Sequence, residues 1–295
     1  MEVSGILISA FSGLFIGCLY ALMAMGLSVI WTTLRFVNFA HGAILTWGAY
    51  VMWFVISSTG VGYAPAFVLT VAIVALTCVA IEKAVFRPLR YGAWPAVATM
   101  ISTLALAIAI QQVCLILFGG RIKQVPALLS GFVRYGSLSV DLNLLSISIV
   151  ALASLTAVYL YLKTTKIGLA IRAVAQDIAA ANLMGVNVDR VYAYTMALGG
   201  AMAAATGILL GSVLYITPDM GLDPLEKAFI ICVFGGITSI RGTIIAALTV
   251  GVVEAVAQYM LPPFWSLPVL FLMMMAILVL KPSGLFGVEE ELGAR

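Results

Sequence analysis

Residues 36–81 read FVNFAHGAILTWGAYVMWFVISSTGVGYAPAFVLTVAIVALTCVAI, and no Asp, Glu, Lys or Arg interrupts them between Arg35 and Glu82. A helix needs about 20 predominantly apolar residues to cross roughly 30 Å of hydrocarbon. The stretch is therefore long enough for two helical spans joined by the short polar segment SSTGVG at 57–62. We interpret it as part of a membrane protein.

The rest of the chain has the same apolar character. Of its 295 residues, 63% are hydrophobic and 9% are charged, whereas about 25% of residues in average soluble domains are charged. The few charged residues leave long intervals without charge. Such intervals suit membrane helices better than barrel strands, which are only about 10 residues long and alternate in polarity. The composition predicts an all-α, polytopic integral membrane protein. The further intervals run from Glu2 to Arg35, Arg90 to Arg121, Asp141 to Lys163, Arg190 to Asp219 and Glu254 to Lys281.

The charge-free intervals predict eight full spans and one shorter segment. Spans of about 20 residues with short loops between them leave room for eight or nine spans in one transmembrane domain, 1–295. The shorter segment, 228–238, covers about half a bilayer and contains Gly235-Gly236. We therefore expect a broken or re-entrant helix near 228–242, enclosed by protein or a cavity. The eight full spans are placed near 6–31, 37–57, 64–82, 96–118, 143–162, 191–214, 242–260 and 264–280.

Basic residues between the spans predict the orientation, because Lys and Arg in short loops favour the cytoplasmic side. If segments 83–90 and 163–190 are cytoplasmic, two spans separate them, as parity requires. The N-terminus and the 119–142 loop are then external, and the C-terminus is cytoplasmic. The basic residues placed inside are Arg35, Lys83, Arg87, Arg90, Lys163, Lys166, Arg172, Arg190, Arg241, Lys281 and Arg295, and those placed outside are Arg121, Lys123, Arg134 and Lys227.

The sequence argues against several classes of protein. The net charge is only +3, with no basic stripe interleaved with aromatic residues, so nucleic acid is not expected as a partner. The four cysteines lie in apolar runs without CxxC spacing, which indicates neither a metal site nor a disulfide framework. His41 is the only histidine, and the sequence contains no HExxH, GxSxG or phosphate-binding GxxxxGKS/T motif. We therefore expect no catalytic residue, metal or cofactor in this chain.

Two long polar segments differ in kind. The predicted external loop, 119–142, contains Gly, Pro and Ser and alternates in polarity over 133–140, which predicts a small hairpin or lid. The predicted cytoplasmic segment, 168–185, is rich in Ala with larger apolar residues at helical spacing, and Gly185 supplies a stop. A helix fixed between two spans could transmit a push from a docked motor protein. It could equally lie on lipid headgroups, and the periodicity of the sequence alone does not decide between a coupling helix and an interfacial helix.

Three stretches of this sequence resemble a known family. They are FVNFAHG at 36–42, GLAIRAVAQDIAAANLMGV at 168–186 and FGGITSIRG at 234–242. Together they are similar to the permeases of branched-chain amino acid ABC importers, the LivH/LivM type, over about residues 10–287. The short N-terminus and the lack of extra soluble sequence resemble the LivH half more than the LivM half.

The resemblance implies the remaining parts of a transporter. These are a second homologous permease subunit, two cytoplasmic ATPase subunits that hold ATP and Mg, and an extracytoplasmic substrate-binding protein, around a multi-pass chain in the lipid of the bacterial inner membrane. The ATPase would dock on the coupling helix 168–185. The binding protein would dock on the external loop and on 215–227, which contains Asp219, Asp223 and Glu226. The coupling residues that match the family stretch are Gly168, Arg172, Ala173, Asp177, Ala181 and Gly185.

Polar groups within the spans are the candidates for a substrate pathway, because they are costly in lipid and normally face protein or water. Asn38 and His41 share one helical face beside Gly42, and Glu254 and Gln258 lie one turn apart. Gln111 and Gln112 are adjacent, so only one of them can face a pore. Each group could instead serve helix packing, and for Glu254 the structural account is a pair with Arg241 or with a backbone donor.

The expected function is therefore an ABC importer permease for branched-chain or other hydrophobic amino acids. A urea or short-amide importer permease is the nearest alternative, because similar loop signatures would not exclude it. A stand-alone secondary carrier or channel is an alternative of another class. An intramembrane enzyme is disfavoured by the missing motifs.

Overall fold

The computed structural model describes residues 2–92, 94–135 and 138–287. Eight helical segments in this part of the chain are long and apolar enough to cross a membrane, so the predicted all-α polytopic architecture is confirmed. The helices are α1 (Glu2–Leu34), α2 (His41–Thr59), α3 (Tyr63–Ile81), α4 (Arg87–Leu89), α5 (Pro95–Phe118), α6 (Leu142–Thr164), α7 (Lys166–Gln176), α8 (Ile178–Leu183), α9 (Val188–Leu210), α10 (Leu222–Gly235), α11 (Ile240–Met260) and α12 (Ser266–Leu280), with a π-helical turn at Glu82–Phe86 and a 3₁₀ turn at Pro263–Trp265.

Helix α1 lies at the centre of the bundle and packs on α6, α9, α10 and α11. Small residues allow α1 and α11 to approach closely, since a Cβ at Gly13 would lie 2.5 Å from the Gly251 carbonyl oxygen. Without water to drive burial, such close packing is a main source of helix association in lipid. The helices α5 and α12 lie at the periphery, where most of their side chains are exposed.

Helix α10 is the expected half-length segment. Its 14 residues reach about 21 Å, which is too short for a bilayer core of about 30 Å. It ends at Gly236, whose φ of 92° is favourable for glycine, and the chain then turns into α11. Most of its side chains are buried, so protein encloses this interrupted segment as predicted.

The second span begins later than predicted. The sequence placed its start at residue 37, whereas α2 begins at His41 and Arg35 has a left-handed φ of 61°. The Asn38 side chain accepts a hydrogen bond from the Ala40 amide at 3.1 Å, which stabilises a local turn in competition with a helix. Residues 35–40 therefore form a short non-helical connection between α1 and α2.

The predicted external hairpin is present as two antiparallel strands, β1 (Phe132–Tyr135) and β2 (Leu138–Asp141). Its turn, 136–137, lies outside the described residues. The preceding part of the loop pairs with the connection after α9, because Lys123 and Ile216 exchange two backbone hydrogen bonds of 3.3 and 2.8 Å. The two segments predicted to receive a binding protein therefore lie side by side.

The predicted single coupling helix, 168–185, is two helices. Asp177 has extended backbone angles, and its carboxylate accepts hydrogen bonds from the Ala179 and Ala180 amides, so it ends α7 and begins α8. Asp is a strong N-cap residue, and the Ala-rich periodicity hid this break. Arg35 donates to the Ala175 carbonyl at 2.7 Å and thereby fixes the end of α7 to the end of α1.

The two predicted cytoplasmic segments meet at one end of the bundle. Arg87 forms an ion pair of 2.7 Å with Asp189, which joins segment 83–90 to segment 163–190. At the other end, Asn143 at the start of α6 donates to the Ser212 carbonyl after α9. The two segments predicted to be cytoplasmic thus lie at the same end of the bundle, as the two spans between them require. Arg295, also predicted to be cytoplasmic, lies outside the described residues.

Candidate functional site

Three charged side chains meet between α10 and α11. The Lys227 ammonium lies 2.7 Å from Asp223 Oδ2 and 2.6 Å from Glu254 Oε1, and it also donates to the Tyr20 hydroxyl at 3.0 Å. Gln258 donates to Glu254 Oε1 at 3.0 Å. We call these residues, Tyr20, Asp223, Lys227, Glu254 and Gln258, the outer charge cluster.

Helical geometry brings the cluster together. Asp223 and Lys227 are four residues apart on α10, and Glu254 and Gln258 are four apart on α11, so each pair shares one helix face. Tyr20 approaches from the central helix α1. The side chains of Lys227 and Glu254 are only 7% and 5% exposed, whereas that of Asp223 is 62% exposed.

The cluster lines a cavity of about 260 Å³. Its lining combines these charged and polar side chains with apolar ones. Within the described part of the chain, Glu254 Oε2 has no hydrogen-bond partner. Ionisable groups in a membrane bundle are costly and typically mark substrate or ion paths. The apolar lining consists of Ile16, Leu19, Leu144, Leu210, Val213, Leu214, Gly251 and Ala255.

Two sequence-based interpretations of these residues are wrong. Glu254 pairs with Lys227 rather than with Arg241, and Lys227 is buried in α10 rather than placed in an external loop. Asp223, expected on the docking surface for a binding protein, also bonds Lys227. The sequence did contain a signal for the pair of Asp223 and Lys227, because the two residues are spaced for one helix turn. It was missed because the helix was predicted to start at 228, after both residues.

Asn38, His41 and Gly42 lie apart from this cavity lining, at the start of α2. Asn38 and His41 are fully buried, and His41 Nε2 lies 3.3 Å from the Met23 carbonyl oxygen. Gly42 packs against the Gly221 carbonyl at the beginning of α10, where a Cβ would also lie 3.0 Å from that of Leu225. His41 and Gly42 therefore fix α2 to α1 and α10, whereas the Asn38 side chain bonds within the preceding turn.

The glutamines of α5 are also outside the cavity lining. Gln111 is half-buried and Gln112 is exposed, so the two adjacent residues point in different directions as expected. The structure thus brings two of the six predicted pathway residues, Glu254 and Gln258, into one cavity and leaves the other four elsewhere.

The predicted coupling residues lie in the segment 166–185, which contains α7 and α8 and which we call the α7–α8 hairpin. A Cβ at Gly168 would lie 2.6 Å from the Leu162 Cα, so glycine lets α7 pack against the end of α6. Arg172 donates to the Lys163 carbonyl at 3.3 Å, and Ala181 is buried. Gly185 adopts a φ of 85° after α8, as its predicted stop role requires, and Ala173 lies half-buried on α7.

A second group of charges, the inner charge cluster, joins the ends of α3 and α9 that are predicted to be cytoplasmic. It consists of Glu82, Arg87, Arg90 and Asp189. Arg90 pairs with Glu82, lies 3.8 Å from Asp189 and stacks 4.3 Å from the centroid of the Tyr192 ring. A cavity of about 550 Å³ extends from this cluster to the α8 residues Ile178, Ala179 and Asn182.

Comparisons with known proteins identify the family. Residues 9–278 match the family described as branched-chain amino acid transport system, permease component. The chain is 32% identical over 294 residues to the high-affinity branched-chain amino acid transport system permease protein LivH of Escherichia coli, with 95% of each chain covered. It is 29% identical, again with 95% of each covered, to BraD of Pseudomonas aeruginosa. A probable LivH of Methanocaldococcus jannaschii is 27% identical, with 92% of this chain and 89% of that one covered.

These matches confirm the resemblance carried by the three sequence stretches, including the similarity to LivH. They cover the membrane helices, the α7–α8 hairpin and α10 together. The chain belongs to the branched-chain amino acid transport permease family, and it is a multi-pass inner-membrane permease subunit of the ABC transporter type.

Proposed function

We propose that this chain is the permease through which an ABC importer moves leucine, isoleucine, valine or related hydrophobic amino acids into the cell. The single observation that carries the proposal is the similarity to LivH over 95% of both chains. ATP and Mg would be held by two partner ATPase subunits, and a second homologous permease subunit would complete the pathway. This chain would contribute no catalytic residue.

The α7–α8 hairpin is the proposed docking site of the ATPase. Leu183 and Met184 at the C-terminal end of α8 are 88% and 85% exposed, which suits them to a partner's apolar groove. The preceding helix α7 is attached at both ends, since Gly168 packs on α6 and Arg35 of α1 donates to the Ala175 carbonyl. Movement of a docked ATPase would therefore reach two membrane helices.

The external hairpin side of the bundle is the proposed docking site of the substrate-binding protein. The pairing of Lys123 with Ile216 joins the 119–142 loop to the 215–227 segment. Asp219 and Glu226 belong to the same surface region. A delivered amino acid would enter near the cavity that Glu254 and Gln258 line. Asn38, His41, Gly42 and Gln111 stay predictions as pathway residues.

Transport by the assembled complex tests the substrate and the energy source. The chain is reconstituted in proteoliposomes with its second permease subunit, both ATPases and the binding protein, and uptake of labelled leucine is compared with uptake of urea and acetamide. Leucine uptake that requires ATP supports the proposal. Uptake of urea in place of leucine would support the short-amide alternative, and ATP-independent uptake would support a stand-alone carrier.

Docking of the ATPase is tested at the C-terminal end of α8. Replacing Leu183 and Met184 together by Asp is expected to abolish co-purification of the ATPase, because the charges would have to enter an apolar groove. Arg190→Asp is a matched control, since Arg190 is also exposed at the cytoplasmic end but lies outside the hairpin. Retained co-purification in the double variant would refute this docking site.

A further inference from the structure

We propose that the outer charge cluster binds the zwitterionic head group of the transported amino acid transiently, with the substrate carboxylate at Lys227 and its ammonium at Glu254. The inference rests on the proposed function, because it takes an amino acid as the substrate. It assigns to Lys227, Tyr20 and Asp223 a role that their positions in the sequence did not suggest.

Burial of the charges favours binding over a purely structural role. Lys227 and Glu254 are almost completely removed from solvent within a membrane bundle. Replacing a buried ion pair by apolar residues is often neutral or stabilising, so stability alone does not require these charges. Charges retained at such a position are typical of substrate and ion paths.

The hydrogen-bonding capacity of the cluster fits both ends of an amino acid. Glu254 Oε2 is buried and without a partner among the described residues, so a substrate ammonium that enters with a local shift of side chains would find an unused acceptor on this cavity-lining residue. All three Lys227 donors are in use, on Asp223, Glu254 and Tyr20. Because the Asp223 side chain is 62% exposed, water can solvate it when a substrate carboxylate takes its place on Lys227.

The shape of the cavity restricts the ligand to a small solute. Its volume of about 260 Å³ lies just below the range of about 300–1,000 Å³ for drug-sized ligands. Besides the charges, the lining includes Ile16, Leu19, Leu144 and Leu210, which are apolar and suit an aliphatic side chain. The cavity therefore offers both charged and apolar contacts to one small solute.

Exchange of one carboxylate for another keeps the binding weak. The substrate carboxylate replaces Asp223 on Lys227, so the number of carboxylates bound to the Lys227 ammonium does not increase. Weak binding is needed in a transport path, because a tightly held solute would leave slowly. The start of α6 and the end of α9 line the cavity on the predicted external side, which places the cluster early in the import path.

A double substitution separates binding from structure. Lys227→Met combined with Glu254→Gln removes both buried charges together and leaves only Asp223, whose side chain is 62% exposed, without its cation. In the reconstituted complex, we expect normal assembly and normal stimulation of ATP hydrolysis by the loaded binding protein. Leucine uptake is expected to fall by about tenfold or more, since charges that mark a substrate path are lost. Uptake within about twofold of wild type would show that the pair is only structural and would overturn the proposal.

A second variant keeps the proposal testable if the double variant fails to assemble. Val213 lines the cavity and is 43% exposed, so Val213→Trp should fill the entrance without changing a charge. Leucine uptake should fall strongly in this variant. Val279→Trp is the matched control, because Val279 is exposed on the peripheral helix α12. Equal uptake by the two Trp variants would overturn the proposal.

The wild-type complex distinguishes the two levels of failure. If it carries urea or acetamide instead of leucine, the proposed function fails. If it carries leucine and the double variant carries leucine equally well, only the binding site fails.

Discussion

The outer and inner charge clusters both combine carboxylates with basic side chains, yet they differ in their access to solvent. In the outer cluster Lys227 and Glu254 are both buried beside a cavity of about 260 Å³. In the inner cluster Glu82 is buried, whereas the Arg87 side chain is 50% exposed. Ion pairs near water contribute little, and buried pairs are costly to break. The comparison separates a cluster that can select a solute from one that fixes helix ends.

The largest effect is expected from breaking the outer pair on one side only. Lys227→Met leaves Glu254 charged and buried without its cation, which should lower the free energy of unfolding by about 3–5 kcal/mol. Thermal unfolding of the purified permease in detergent measures the loss. Combining this substitution with Glu254→Gln should restore most of the stability. A single variant as stable as wild type would mean that solvent reaches Glu254.

The inner cluster should respond less strongly to the equivalent change. Glu82→Gln removes the main partner of Arg90, which keeps Asp189 and the Tyr192 ring as neighbours. Losing a hydrogen bond to a charged group should cost about 1.5–3 kcal/mol in the same unfolding measurement. Lys83→Gln is the matched control, because Lys83 is adjacent and exposed. A loss as large as that for Lys227→Met would remove the distinction between the clusters.

The membrane architecture was predictable from the sequence, because hydrocarbon imposes helices of known length on charge-free intervals. The eight predicted spans all fall on observed helices, with ends that agree to within a few residues, and α10 was recognised as too short to span. The start of α2 was misplaced by four residues, from 37 to His41, because Asn38 forms a local turn that hydropathy does not register.

The candidate site was predictable only in part. Glu254 and Gln258 stood out as polar residues inside an apolar interval, which is a local property. Their partner Lys227 lies on another helix, and only the packing of α10 against α11 brings the two charges to 2.6 Å. Contacts between distant segments have no signal in a single sequence. Lys227 itself was assigned to a loop because the helix was predicted to start at 228, whereas α10 starts at Leu222.

The break at Asp177 offers a smaller test on the inner side. The Asp177 carboxylate caps α8, which borders the inner cavity, and losing a cap costs about 0.5–2 kcal/mol. Asp177→Ala should therefore speed hydrogen exchange at the Ala179 and Ala180 amides and weaken ATPase co-purification. Asp177→Asn retains a capping oxygen and should behave like wild type. Weakened co-purification in both variants, with normal exchange in the Asn variant, would assign the carboxylate a direct contact with the ATPase.

The smallest effect is expected at the exposed edge of the inner cluster. Arg87 lies 2.7 Å from Asp189, but its side chain is half exposed, so water and salt compete with the pair. Arg87→Ala should change the free energy of unfolding by about 0–1 kcal/mol. The difference from wild type should shrink as the salt concentration rises, whereas the loss in Lys227→Met should persist because its charges are buried. A salt-independent loss at Arg87 would show that this pair is shielded from solvent in the membrane-embedded protein, and the contrast between the two clusters would then fail.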